Sequence, residues 1–194
     1  IMNGEEEGID CGLFACSNYC EPDLEPPKVE FTKLIQARDN DYDFVAEVKN
    51  PHSQFGSPEV FYELIAYGGD GDVLAKREGV FYILPGQAKY LIIPSLTTEN
   101  NIERAELVIK SAKWQKIDSL EGMNFLVRRE KFNESQSGNS NTLDAVIFND
   151  SDFDFDRIDI DVALLDASGN IVAVNKSDIR TFSSRAERSF VVTW

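Results

Sequence analysis

The sequence predicts an all-β protein: two tandem β-sandwiches behind a short, irregular, cysteine-rich segment. Three observations predict it. Apolar and polar residues alternate with period two, turn-forming residues punctuate the chain at regular intervals, and the two halves resemble each other.

Alternation is clearest in two stretches. Across 60–66, Val60, Tyr62, Leu64 and Ala66 fall on one face. Across 157–164, Ile158, Ile160, Val162 and Leu164 face one way, and Asp159 and Asp161 the other. That pattern marks a strand with one dry and one wet face. Gly68-Gly69-Asp70-Gly71-Asp72, Pro85-Gly86 and Ser168-Gly169-Asn170 supply turns between such strands. In the stretch 98–112, Leu107-Val108-Ile109 and the run to Trp114 suit a strand at least as well as a helix.

The internal repeat aligns Phe44-Val-Ala-Glu-Val-Lys-Asn50 with Leu143-Asp-Ala-Val-Ile-Phe-Asn149. Further on, Gly71 matches Gly169, Ala75 matches Ala173, and Ala88 matches Ala186. A single-residue deletion joins these anchors. Each copy then carries a strand ending at an asparagine, a loop, a long alternating strand, a glycine turn and a return strand. Leu84 or Phe182 precedes the last strand of each plan. The expected organisation is a cysteine-rich segment at 1–25, a first sandwich at 26–117 and a second at 118–194. In the first copy, Ala105 to Trp114 supplies a closing strand; the second stops at Trp194 with nothing equivalent. A sandwich without that strand exposes an apolar groove and unpaired backbone. The expectation is that the natural chain continues or that another chain supplies the strand.

Composition narrows the function. The chain has 194 residues, 42% of them hydrophobic, enough for real cores. A net charge of −15 repels phosphate backbones and argues against nucleic acid as a partner. No apolar run approaches the roughly 20 residues that span a bilayer. Membrane attachment is expected only through an anchor outside these residues. Cys11, Cys16 and Cys20 crowd the N-terminus, and none follows. Zinc would normally take four Cys or His ligands, and the only histidine, His52, is distant in sequence. Disulfides are the better reading, and the odd count leaves one thiol needing a partner.

Catalytic constellations are absent from the pattern. His52 lies in the turn-like Asn50-Pro51-His52-Ser53, where an exposed loop histidine is expected rather than a general base. Neither a G-x-S-x-G elbow nor a phosphate-binding loop occurs. No cofactor is expected; calcium is the sharper alternative. Asp150, Asp152, Asp154 and Asp156 alternate along an extended segment and would set four carboxylates on one side. Glu5, Glu6, Glu7 and Asp10 form a second acidic cluster. Phe61, Tyr62, Phe81 and Tyr82 could form an aromatic platform, although alternation turns one of each pair into the core. Asn133, Asn149 and Asn175 begin N-x-S triplets.

One stretch resembles a known family. Val162-Ala-Leu-Leu-Asp166-Ala-Ser-Gly169 is similar to the signature and turn glycine of the FxLYD family of bacterial and archaeal surface domains, and Leu64-Ile-Ala-Tyr67-Gly-Gly-Asp-Gly71 resembles it more loosely. The resemblance implies immunoglobulin-like sandwiches in extracytoplasmic proteins, with no catalytic residues. Asn3-Gly-Glu-Glu-Glu-Gly-Ile-Asp-Cys11-Gly12, with Cys16 and Cys20, resembles a cysteine motif of secreted bacterial proteins. It implies a further cysteine and an anchor upstream. The expected function is therefore a non-catalytic structural or interaction module, cell-surface or secreted. The alternatives are a subunit of a surface filament or adhesive assembly completed by a partner strand, and a calcium-dependent ligand-binding domain. Expected partners are proteins, including copies of the chain itself.

Overall fold

A computed structural model describes residues 24–117, 123–135 and 140–194. Cys11, Cys16 and Cys20, with the acidic cluster at 5–10, lie outside the described residues. Within them the chain is all-β, with strands and no helix. Seven strands occupy the first half: β1 (Lys28–Arg38), β2 (Asp41–Lys49), β3 (Phe55–Tyr67), β4 (Val73–Ile83), β5 (Ala88–Thr97), β6 (Arg104–Ala112) and the short β7 (Gln115–Lys116). Five follow: β8 (Phe125–Asn133), β9 (Thr142–Asn149), β10 (Phe155–Leu165), β11 (Ile171–Phe182) and β12 (Glu187–Thr193).

Every pairing is antiparallel. The first half holds a β1-β2-β5 sheet and a β4-β3-β6 sheet, with β7 added to the start of β3. The second holds β8-β9-β12 and the two-stranded β10-β11. Thus β6 is the closing strand expected from residues 105–114. Among the described residues, β10 has no partner on the edge where β3 takes β6.

Alternation accounts for the cores. Phe44, Ala46 and Val48 of β2 meet Val60 and Leu64 of β3, Phe81 and Ile83 of β4, and Leu107 of β6. A second core gathers Ala145 and Ile147 of β9, Ile179 and Phe182 of β11, and Phe190 and Val192 of β12. Ile158, Ile160 and Val162 of β10 pack against it only partly buried.

The turns of the two halves share one design. The Gly68 amide donates to Asp72 O and the Asp166 amide to Asn170 O, both at 2.9 Å. Gly71 and Gly169 follow with φ of 81° and 84°, a region that L side chains rarely enter. Asn50 and Asn149 act as buried knots, 1% and 0% exposed. Asn50 Nδ2 donates to Phe55 O and Leu84 O, at 2.7 and 2.8 Å. Asn149 Nδ2 donates to Phe153 O at 2.8 Å and Ser183 O at 3.0 Å. Each Oδ1 accepts the amide two residues on, from His52 or Ser151.

The hydrogen bonds correct one detail of the repeat. The Asn50 amide donates to Gln87 O and the Asn149 amide to Ala186 O. Ala186 therefore stands in the place of Gln87, not of Ala88, and Phe182 in that of buried Ile83, not of Leu84. The second half gains a residue near Thr181, whose φ of 54° marks the local distortion.

Candidate functional site at the joint between the halves

Side chains of both halves meet at a small apolar patch. Phe44 and Ala46 point into the first core, so Val45 between them points out of the other face of the same sheet. Its cross-strand partner on β5 is Ile92. A solvated sheet face would carry polar residues there. Instead Val45 and Ile92 are 0% and 2% exposed because Ile171 and Val174 of β11 cover them. Burying such a side chain fully contributes about 1.5–3 kcal/mol.

Two lysines tie the patch. Lys33 Nζ of β1 donates to Ile171 O at 2.6 Å, and Lys176 Nζ of β11 to Ile92 O at 3.4 Å. Each crosses from one half to the other and satisfies a carbonyl that the contact would otherwise dehydrate. Charged hydrogen bonds of this kind contribute about 1.5–3 kcal/mol when well formed.

Beside the patch opens a cleft of about 730 Å³, walled by Tyr62, Tyr82 and Tyr90 on one side and Asp159, Asp161 and Lys176 on the other. Lys89 lies 4.0 Å from the centre of the Tyr82 ring and donates to Tyr82 O at 3.3 Å. Arg157 holds Asp159 at 2.8 Å. Burial lowers the Lys89 pKa, opposed by Asp161 and Asp159. Asp161 stays accessible from the cleft mouth, yet crowding by protein raises its pKa against the pull of Lys89 and Lys176. Tyr82 is raised too, by burial first and then by Asp159 and Asp161. These charges largely answer one another, so the cleft suits polar or aromatic contacts with a partner. A nucleophile paired with a base is not among its lining residues.

A second hollow, of about 570 Å³, adjoins the first through Tyr82, Asp159 and Asp161. Its wall is mainly apolar: Leu84, Met123, Phe125, Ile147, Ile158 and Ile160. It lies between β8, the edge of β10 that has no partner among the described residues, and Tyr82, Leu84 and Gln87 of the first half.

The residues singled out in the sequence are placed as follows. Asp150 and Asp152 are bridged by one guanidinium: Arg185 Nη1 pairs with Asp150, and Arg185 Nη2 with Asp152 at 2.9 Å. Asp154 accepts the Ser184 amide at 2.7 Å, and Asp156 is exposed at the start of β10. The four do not converge, and no group of three or more metal-ligating side chains does so among the described residues. His52 is half-buried rather than an open loop residue. Its Nε2 lies 2.9 Å from Glu25 O, and its ring stands edge-on to Trp114 at 4.9 Å. Of the aromatic pairs, Phe81 is buried, while Tyr82 and Phe61 are exposed at 40% and 37%. Asn149 is too buried to accept a glycan. Asn133 Nδ2 is bonded to Asp144 at 2.5 Å, and Asn175 Nδ2 to Thr193 O at 2.6 Å.

Sequence reasoning did not single out Lys33, Val45, Lys89, Ile92, Val174 or Lys176. A signal was there: Phe44-Val45-Ala46 and Leu91-Ile92-Ile93 are unbroken apolar triplets inside alternating strands. Such triplets mark a sheet dry on both faces.

The fold defines an all-β protein of antiparallel sheets. No protein-family model matches the chain, and no curated protein matches it.

Proposed function

We propose that the chain is a non-catalytic, extracytoplasmic structural module: two tandem immunoglobulin-like sandwiches, spanning 26–117 and 118–194, that act as a stiff spacer or docking surface. The joint carries this reading. Four apolar residues and two lysine–carbonyl bonds fix one half against the other, which a flexible linker would not require. The matched asparagine knots and glycine turns support a duplicated unit. The charge of −15, the clustered cysteines and the resemblance to FxLYD domains support a surface or secreted location.

Small-angle scattering of the chain and of Val174→Asp tests the spacer. The unsubstituted chain gives a single narrow distribution of interatomic distances. The variant places a carboxylate in the patch and broadens that distribution while the circular dichroism of both halves persists. An unchanged scattering profile ends the spacer reading. Thiol counting on native material tests the compartment: fully reduced cysteines in a cytosolic fraction end that part of it.

A second reading has an observation of its own. The edge of β10, without a partner among the described residues, favours a subunit of a surface assembly in which another chain completes the second sandwich by adding a strand.

A further inference from the structure

We propose that the β10 edge and the hollow beside it form an acceptor site for one class of partner: an antiparallel peptide strand, apolar at alternate positions, with a lysine that pairs with Asp161. The inference rests on the assembly reading above and specifies its partner.

The first half is the template. There β6 pairs with β3 in the register Ala66 to Ala105, Leu64 to Leu107 and Tyr62 to Ile109. Leu107 is thereby left 7% exposed, and Leu64 1%. The matched glycine turns make Ile160, Val162 and Leu164 of β10 the counterparts of Tyr62, Leu64 and Ala66. All three are only half-buried. The hollow lies along the β10 edge, walled by Phe125, Ile147, Ile158 and Ile160 of the second half and by Tyr82, Leu84 and Gln87 of the first. An unpaired edge flanked by apolar surface is a template for strand addition.

Charge selects among strands. Glu63 of β3 is buried and held by Lys110 of β6 at 2.6 Å, with Lys76 at 3.1 Å. Its counterpart on β10 is Asp161, and Asp159 lies two residues before it. Lys176, the cross-strand partner of Asp161, and Lys89 of the first half pull on Asp161 without closing an ion pair, and Asp159 is held by Arg157 of its own strand. Among the described residues neither takes a cation from a further strand on that edge. Crowding already disfavours the ionised form of Asp161. A strand with lysine at the position of Lys110 would bring the cation to that carboxylate and turn an electrostatic cost into an attraction. A strand with glutamate there would meet repulsion from two aspartates.

The probe is a capped synthetic peptide with the sequence of this chain's own 104–112, Arg-Ala-Glu-Leu-Val-Ile-Lys-Ser-Ala. Fluorescence anisotropy reads its binding to the full chain, and amide exchange resolved by residue reads its position. We expect saturable binding and at least tenfold slower exchange at unpaired amides of β10, with β3 unchanged. Replacing Lys110→Glu in the peptide weakens binding at least tenfold. Asp161→Lys in the protein does the same for the original peptide and restores binding of the Lys110→Glu peptide. Protection of β10 without any effect of the charge exchange overturns the lysine recognition and leaves the assembly reading standing. No protection at any peptide concentration below aggregation overturns both. If the β10 amides are already protected in the chain alone, whether by a second copy or by its own residues, the open acceptor site is refuted.

Discussion

Two long strands, β3 and β10, occupy the same place in their halves and fare differently. Strand β3 lies between β4 and β6, and Val60, Leu64 and Ala66 are 0–1% exposed. Among the described residues β10 pairs with β11 alone, and Ile158, Val162 and Leu164 stay half-exposed. Their alternation is equally good, so alternation is not what buries them. It assigns side chains to a face; burial needs a neighbour on each edge of the strand and a layer across from it. In the first half β6 provides the edge and Leu107 completes the layer.

The largest test of that contrast compares Leu64→Ala with Val162→Ala. The chain has two tryptophans, Trp114 and Trp194, one in each half, so Trp194→Phe and Trp114→Phe backgrounds let urea unfolding be followed separately. Leu64→Ala leaves a cavity in a closed core and should cost about 2–5 kcal/mol. Val162→Ala removes fewer atoms from a half-wet face and should cost about 1 kcal/mol. Equal losses would mean that β10 is as well covered as β3, and the contrast would fail.

A second comparison asks where the halves are alike. Asn50 and Asn149 each hold two or more loop carbonyls and one or more loop donors from a buried position. Alanine at either leaves those groups dry and unpaired, for an expected loss of about 2–4 kcal/mol in that half. Aspartate should not rescue it, because the carbonyls need the Nδ2 donors. A large loss at Asn50 with a negligible one at Asn149 would show that only one turn depends on its knot.

These contrasts mark how far the sequence could be read. The strands around 60–66, 105–114 and 157–164 and the glycine turns are legible because period two and positive φ are local properties. Asn50 and Asn149 were recognised as turn residues, though not that both would be buried. Placing Ala88 opposite Ala186 misread the repeat, since identity of residue type outweighed a one-residue distortion visible only in hydrogen bonds. The joint was hidden because Val45 and Ile92 read as ordinary core. Only the position of β11 shows that they pack on the far face of their sheet. The alternation of the aspartates at 150–156 is local and legible, whereas Arg185, which brings its charge to Asp152 and Asp150, lies 33 and 35 residues away in sequence.

The smallest expected effect is also the most specific to the closed and open edges. Glu63 and Asp161 are counterparts, yet their pKa values move in opposite directions. Lys110 and then Lys76 hold Glu63 below the ordinary glutamate value by hydrogen bonding, so the folded state binds its proton less tightly than the unfolded one. Its stabilisation is fully present above the unfolded value and is lost as pH falls through the folded one. Crowding holds Asp161 above the ordinary aspartate value, so its contribution has the reverse sign. The stability it confers is present below the unfolded value and lost as pH rises through the raised one. At neutral pH, Glu63→Gln should therefore lower the urea midpoint, and Asp161→Asn should raise it slightly. Both differences should shrink as pH falls, that of Asp161 first because its value is raised, and that of Glu63 only once pH passes below its lowered one. Saturating the chain with the 104–112 peptide should then reverse the Asp161→Asn effect, because a paired Asp161 behaves as Glu63 does. If both substitutions lower the midpoint at neutral pH without peptide, Asp161 already has its cation and the two edges are electrostatically equivalent.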